Sequence, residues 1–140
     1  MFNLYGNDRL TEWKQFRNSL ETSNDPLSDL AKLWATAPFV NDYLDPQNPT
    51  KWPDPWHLVL DGKFDDLAIC LGMLYTLKLT QRFMKTVCEI HMSMLPKDRS
   101  PRYYLVVNNR FVLNHEPRVV HDFETLDIQT NTLWRCDQLP

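Results

Sequence analysis

The chain has 140 residues, 43% of them hydrophobic and 24% charged, with a formal net charge of -3. That composition excludes a disordered tract and leaves room for one domain with a real core, but hardly for two. Lysine and arginine are dispersed along the chain, so the basic stripe that grips phosphates is missing and nucleic acid is not an expected partner.

The opening MFNLYGNDRL has no basic segment followed by an apolar run, so no secretory leader is expected. The longest near-apolar run, Leu67 to Leu77, falls well short of the ~18–20 residues that span a bilayer, so no membrane is expected either. Cys70, Cys88 and Cys136 are odd in number, widely spaced and free of any C-x-x-C, which suits a reducing compartment. These features predict a cytoplasmic protein.

In NDRLTEWKQFRNSLE, Asn7 and Asp8 are candidate caps, and Leu10, Trp13, Phe16 or Arg17, and Leu20 recur at helical spacing. The next segment offers Asp25 as N-cap and Pro26 at the first helical position. Leu27, Leu30, Ala31 and Trp34 share a face there, and Pro38 ends the helix. Residues 46–60 are then broken by Pro46, Pro49, Pro53 and Pro55, with Trp52 and Trp56 between them. Prolines at that density predict an irregular loop anchored to its own core by tryptophan, with a PxxP-type ligand as the alternative.

From Phe64 to about Lys78 the chain is apolar on all sides, as a buried helix is, and Gly72 within it signals close packing against another backbone. The period then becomes two. Met84, Thr86, Cys88, Ile90 and Met92 alternate with Lys85, Val87, Glu89 and His91, which predicts a half-buried strand. RYYLVV and RFVLN flank Asn108-Asn109, a pair suited to a type I′ hairpin, and short strands are expected over 118–123 and 132–136. Helices followed by a mostly antiparallel sheet make this an α+β domain. A single domain over 1–140 is expected, helical to residue 45, with the central helix and sheet over 61–140.

The central segment resembles the transglutaminase-like superfamily, in particular its bacterial cysteine-proteinase branch. That family runs a Trp/Pro-rich lead-in into Gly-Asp-Cys-Glu-Asp-Tyr-Ala at the start of a buried helix. Here the text is WPDPWHLVLDG followed by GKFDDLA: Gly62, Asp66 and Ala68 match, Asp65 stands for the glutamate, and Lys63 and Leu67 depart. Phe64 stands where the nucleophilic cysteine belongs. Tyr103 or Tyr104 occupies the region of the family's histidine, and Asn114 falls near its acid. The resemblance covers residues 52–115 and implies a scaffold whose catalytic positions, now Phe64, Tyr103 and Asn114, have lost their chemistry. A thiolate at a helix N-terminus is stabilised by the dipole and by free N–H groups, whereas phenylalanine can neither ionise nor attack. Its ring is expected to be core and to plug the cleft. A second resemblance, from WKQFRNSLE through APFVNDYLDP to DDLAICLGMLYTLKLT, is to small proteins of large contractile-tailed cyanobacterial viruses. It implies a virion component or an assembly or host-takeover accessory.

Other chemistry has less support. A cysteine hydrolase (peptidase or amidase) would have to use Cys70 or Cys88 with His91 or His115. His115, Glu116, His121 and Asp122 sit in HEPRVVHD, where Pro117 and the spacing argue for solvated strand-end histidines and no metal site. Asp54, Asp61, Asp65 and Asp66 read as helix caps before they read as a cation site. No cofactor is expected. The expected function is non-catalytic binding to another protein, either a virion component or a second copy. Trp13, Phe16, Trp52 and Trp56 are the candidate contacts, on an added surface formed by residues 1–45.

Overall fold

The computed structural model describes residues 1–94 and 100–136, so residues 95–99 and 137–140 of the expected domain lie outside it. Among the described residues, four α-helices precede a five-stranded antiparallel sheet, which bears out the α+β expectation. The helices are α1 (Gly6–Leu20), α2 (Pro26–Trp34), α3 (Pro55–Asp61) and α4 (Asp66–Lys78). The strands are β1 (Cys88–Met94), β2 (Pro101–Val107), β3 (Phe111–Leu113), β4 (His121–Asp122) and β5 (Thr132–Arg135), in the order β4-β3-β2-β1-β5. No helix among the described residues is long and apolar enough to cross a membrane.

The central helix α4 is buried on nearly every side, as its composition requires, and it lies against β2 and β1. Gly72 sits on its α2 side. A β-carbon there would overlap the six-membered ring of Trp34, so the close neighbour is an indole and not the backbone expected from sequence. Gly72→Ala should therefore destabilise the protein by about 1–3 kcal/mol in urea unfolding, because overpacking outweighs the ~1 kcal/mol gain in helix propensity. Equal or raised stability would mean that the Trp34 ring can move aside.

Helix α1 opens at Gly6 after Tyr5, so neither Asn7 nor Asp8 caps it, and Asp25 occupies the N-cap position of α2 without a side-chain cap bond. Trp13 is wholly buried, its Nε1 donating to Thr76 Oγ1 at 3.0 Å. This corrects the expectation that Trp13 belongs to a docking surface: its indole is shared with α4 and cannot leave. Arg9, also buried, donates to the carbonyls of Leu4, Val59 and Phe2 at 2.8, 2.9 and 3.1 Å, so α1 is tied to α3 through hydrogen bonds as well as packing.

Residues 46–60 are less irregular than their prolines suggest. Pro49–Lys51 is a 3-10 turn, and Pro55 opens α3 from its first position. Asp54 caps that helix by accepting from His57 N at 2.9 Å, and Gly62 ends it at φ +65°. A proline costs nothing at a helix's first position, where its missing N–H would have no partner anyway.

The predicted strand from Met84 begins only at Cys88. The backbone N–H groups of Gln81 and Arg82 are held by the Glu21 carboxylate at 2.9 Å each, and residues 81–86 form turns, leaving Met84 and Val87 exposed. The hairpin forms as expected, with Asn108 and Asn109 at φ 56° and 55°. Alternation assigns Cys88, Ile90, Tyr103, Leu105 and Leu113 to the α4 face. Tyr104, Val106 and Val112 face the other way and are covered by Phe123, Leu126 and Ile128 from the segment that joins β4 to β5. The sheet is thus sealed on both faces.

Candidate functional site

The chain reaches α4 through an extended residue. Phe64 forms a parallel bridge with Phe39, its carbonyl accepts from Val40 N at 3.0 Å, and the helix starts two residues later. The Phe64 side chain is wholly buried, and its ring makes edge contacts with Phe2 and Trp34, each at 5.3 Å between centroids. Phe2 and Trp34 are themselves 5.1 Å apart, so the three rings close a triangle.

Asp65 is the N-cap. One carboxylate oxygen accepts from Ala68 N at 2.8 Å, and the other takes the N–H groups of Tyr43 and Leu44 at 2.9 and 3.0 Å. The helix start and the loop after α2 are therefore held by one side chain. Asp66 faces the sheet. Its Oδ1 accepts from Asn114 Nδ2 at 3.0 Å, and its Oδ2 lies 3.5 Å from both Arg102 Nε and Tyr103 N. Asn114, in a left-handed conformation at φ 69°, also donates to the Tyr103 carbonyl at 3.0 Å and approaches Cys70 Sγ at 3.5 Å.

Of the three catalytic-like positions, the structure joins Tyr103 to Asn114 and connects both to the start of α4 through Asp66. The Phe64 ring points elsewhere, into the aromatic triangle. Tyr103 lies in the core beside Trp134, and burial raises its phenol pKa, with Asp65 and Asp66 adding to the effect. Tyr104 points to the opposite face, 5.5 Å from the His115 ring. A cleft of about 200 Å³ lies alongside, bounded by residues that include Trp34, Phe39, Asp66, Ile69, Asn114 and Glu116. Phe64 does not line it.

Neither candidate thiol meets an imidazole. Cys70 is fully buried, its thiol pKa pushed well above the ordinary value by burial and then by Asp66, and its polar neighbour is Asn114. Burial pushes Cys88 up to about 11. Cys88 belongs to the α4 face of β1, whereas His91 lies on the opposite face against Phe123, bonded to Thr130 Oγ1 at 2.8 Å and Glu89 Oε1 at 3.3 Å. Asp54 and Asp65 do serve as caps, as expected. Asp61 accepts from the Tyr43 hydroxyl at 2.7 Å.

The proposed contact residues are scattered. Trp52 is buried, with Nε1 donating to the Asp45 carbonyl at 2.7 Å and its ring edge-on to Trp134 at 5.4 Å. It anchors the loop, which removes it from any free surface. Phe16 is half-buried. Trp56 is 47% exposed, and Leu60, one turn further along α3, is 40% exposed. Tyr5 is exposed too, its ring 5.9 Å from the Arg9 guanidinium. Of the four proposed contact residues, only Trp56 is thus exposed, and it shares α3 with the exposed Leu60.

His115 and His121, expected to be solvated, are each half-buried. Their rings stand 5.0 Å apart at 88°, and His115 Nδ1 and His121 Nε2 are buried without a hydrogen-bond partner. Comparison of the chain with family models, curated proteins and solved structures returns no match.

Proposed function

We propose that this chain is a non-catalytic protein-binding domain on a transglutaminase-like scaffold, working as a viral virion component or assembly accessory. The observation that carries the reading is Phe64: a wholly buried ring in an aromatic triangle stands at the position of the family's nucleophile. Asp66, Tyr103 and Asn114 have become a hydrogen-bonded brace between helix and sheet, a structural use of a site that elsewhere performs chemistry. Binding falls to the exposed side of α3 that carries Trp56 and Leu60, where aromatic area is offered at low entropy cost.

The competing reading, a cysteine hydrolase, makes a different prediction for thiol chemistry. A catalytic cysteine is a thiolate near neutral pH and alkylates readily in the folded protein. Cys70 and Cys88, buried and with raised pKa values, should resist iodoacetamide at neutral pH and react only after denaturation, as followed by peptide mass spectrometry. Selective labelling of either in the native state would overturn the non-catalytic reading. The binding half is tested with Trp56→Ala/Leu60→Ala, which should stay folded and lose the protein captured by the wild type from infected-cell extract or purified particles. Undiminished capture would remove this patch from the interface.

A further inference from the structure

The connection from β3 to β4 gathers three metal-ligand side chains that neither the scaffold nor the binding reading uses. Antiparallel pairing of Val112 with His121 folds the chain back on itself, and Arg118 turns it at φ 68°. His115, Glu116 and His121 are thereby brought together, with one ligand atom from each lying within 4.8 Å of the others. His121 Nε2 is already 3.6 Å from Glu116 Oε2. A tetrahedral zinc ion with bonds of ~2.1 Å sets its ligands about 3.4 Å apart, so small side-chain rotations close the remaining distance.

The second observation concerns the hydrogen bonding of the same two imidazoles. His115 Nδ1 and His121 Nε2 are both buried and both lack a hydrogen-bond partner. A buried polar atom left unpaired costs about 1–3 kcal/mol, and these two belong to rings 5.0 Å apart. With the proton on the other ring nitrogen, each of these atoms is an acceptor, the form in which imidazole ligates a metal. A cation between them satisfies both at once. Arg102, which donates to the His115 carbonyl at 3.4 Å, has its charge matched by Asp66 at 3.5 Å and so opposes the ion less.

We propose that His115, Glu116 and His121 bind a divalent transition-metal ion of the zinc class, leaving one coordination position for water. Two imidazoles and one carboxylate suit zinc, cobalt, nickel or copper, whereas the harder calcium and magnesium ions prefer all-oxygen shells. The ion would clip together both ends of the loop whose Glu116, Pro117 and Arg118 form one wall of the cleft beside Asp66.

The test uses the intact chain, stripped by chelation, titrated with Zn²⁺ in a calorimeter and with Co²⁺ by visible absorption. One equivalent of Co²⁺ should bind and give the intense bands of a four-coordinate site, and Zn²⁺ should raise the melting temperature. His121→Ala should weaken binding by at least about 100-fold, the upper range seen when even an outer partner of a ligand is lost. Glu116 is largely exposed, so Glu116→Gln preserves the fold and should weaken binding by about tenfold or more. His57→Ala, at an exposed histidine elsewhere, should change nothing. The proposal fails if the folded wild type shows no saturable binding. It fails equally if Glu116→Gln binds as the wild type does, or if Mg²⁺ binds as tightly as Zn²⁺.

Discussion

Phe64→Ala should lower the stability of the domain by about 3–5 kcal/mol, the range for deleting a buried aromatic ring. The melting temperature should fall by roughly 10–20 °C. Two terms add here. The ring is wholly buried, and it makes edge contacts with both Phe2 and Trp34, each such pair being worth about 0.5–1.5 kcal/mol beyond area. Phe64→Leu should recover much of the loss by refilling the space. Phe64→Cys, which restores the residue type of the resembled family, should be destabilised like the alanine variant and carry an unreactive thiol, because its neighbours are aromatic carbon. A loss below about 1 kcal/mol in Phe64→Ala would show that the triangle collapses around the vacancy and that the ring is dispensable there.

Asp65→Ala should be nearly as severe, at about 3 kcal/mol or more in chemical denaturation. A single carboxylate accepts from Ala68, Tyr43 and Leu44, so its removal leaves three backbone donors without their acceptor. The Ala68 bond is buried and the other two are part-buried, so water can replace some of what is lost. Asp65→Asn sharpens the test. An amide offers one accepting oxygen and presents two donors where two N–H groups already point, so it should keep the helix cap and release the loop. Hydrogen exchange would then show the amides of Tyr43 and Leu44 unprotected while α4 stays protected. If Asp65→Asn matched the wild type, the loop would be held by something other than this carboxylate.

The sequence made some of this arrangement readable because the cause was local. Helix α4 follows from an apolar run without a polar face, α2 from Asp25-Pro26, and the hairpin from an asparagine pair that tolerates positive φ. Helix α3 carries the same signal as α2, an acidic residue before proline, and was obscured by the density of prolines around it. Other features were not local. An amphipathic stripe cannot say whether Trp13 faces a partner or its own core; that depends on Thr76, far along the chain. Nor does the spacing of His115 and His121 show that they meet, since their approach depends on the pairing of β3 with β4 and on a left-handed Arg118, which no glycine announces. The outer cover of the sheet was hidden too, because Phe123, Leu126 and Ile128 fall into no period of two.

The last strand bears on how the molecule must be made. β5 forms the edge next to β1, although β2, β3 and β4 are synthesised between them. On the ribosome, β1 therefore waits with one row of N–H and C=O groups unpaired until residues 132–135 have emerged. During the same interval Tyr104, Val106 and Val112 have no cover, since the segment that will shield them comes just before β5. A nascent chain in this state offers both an open strand edge and a bare apolar face, the two surfaces that most readily capture a neighbouring chain. Translation pauses or truncations between residues 113 and 132 should thus be the point at which this protein depends most on a chaperone.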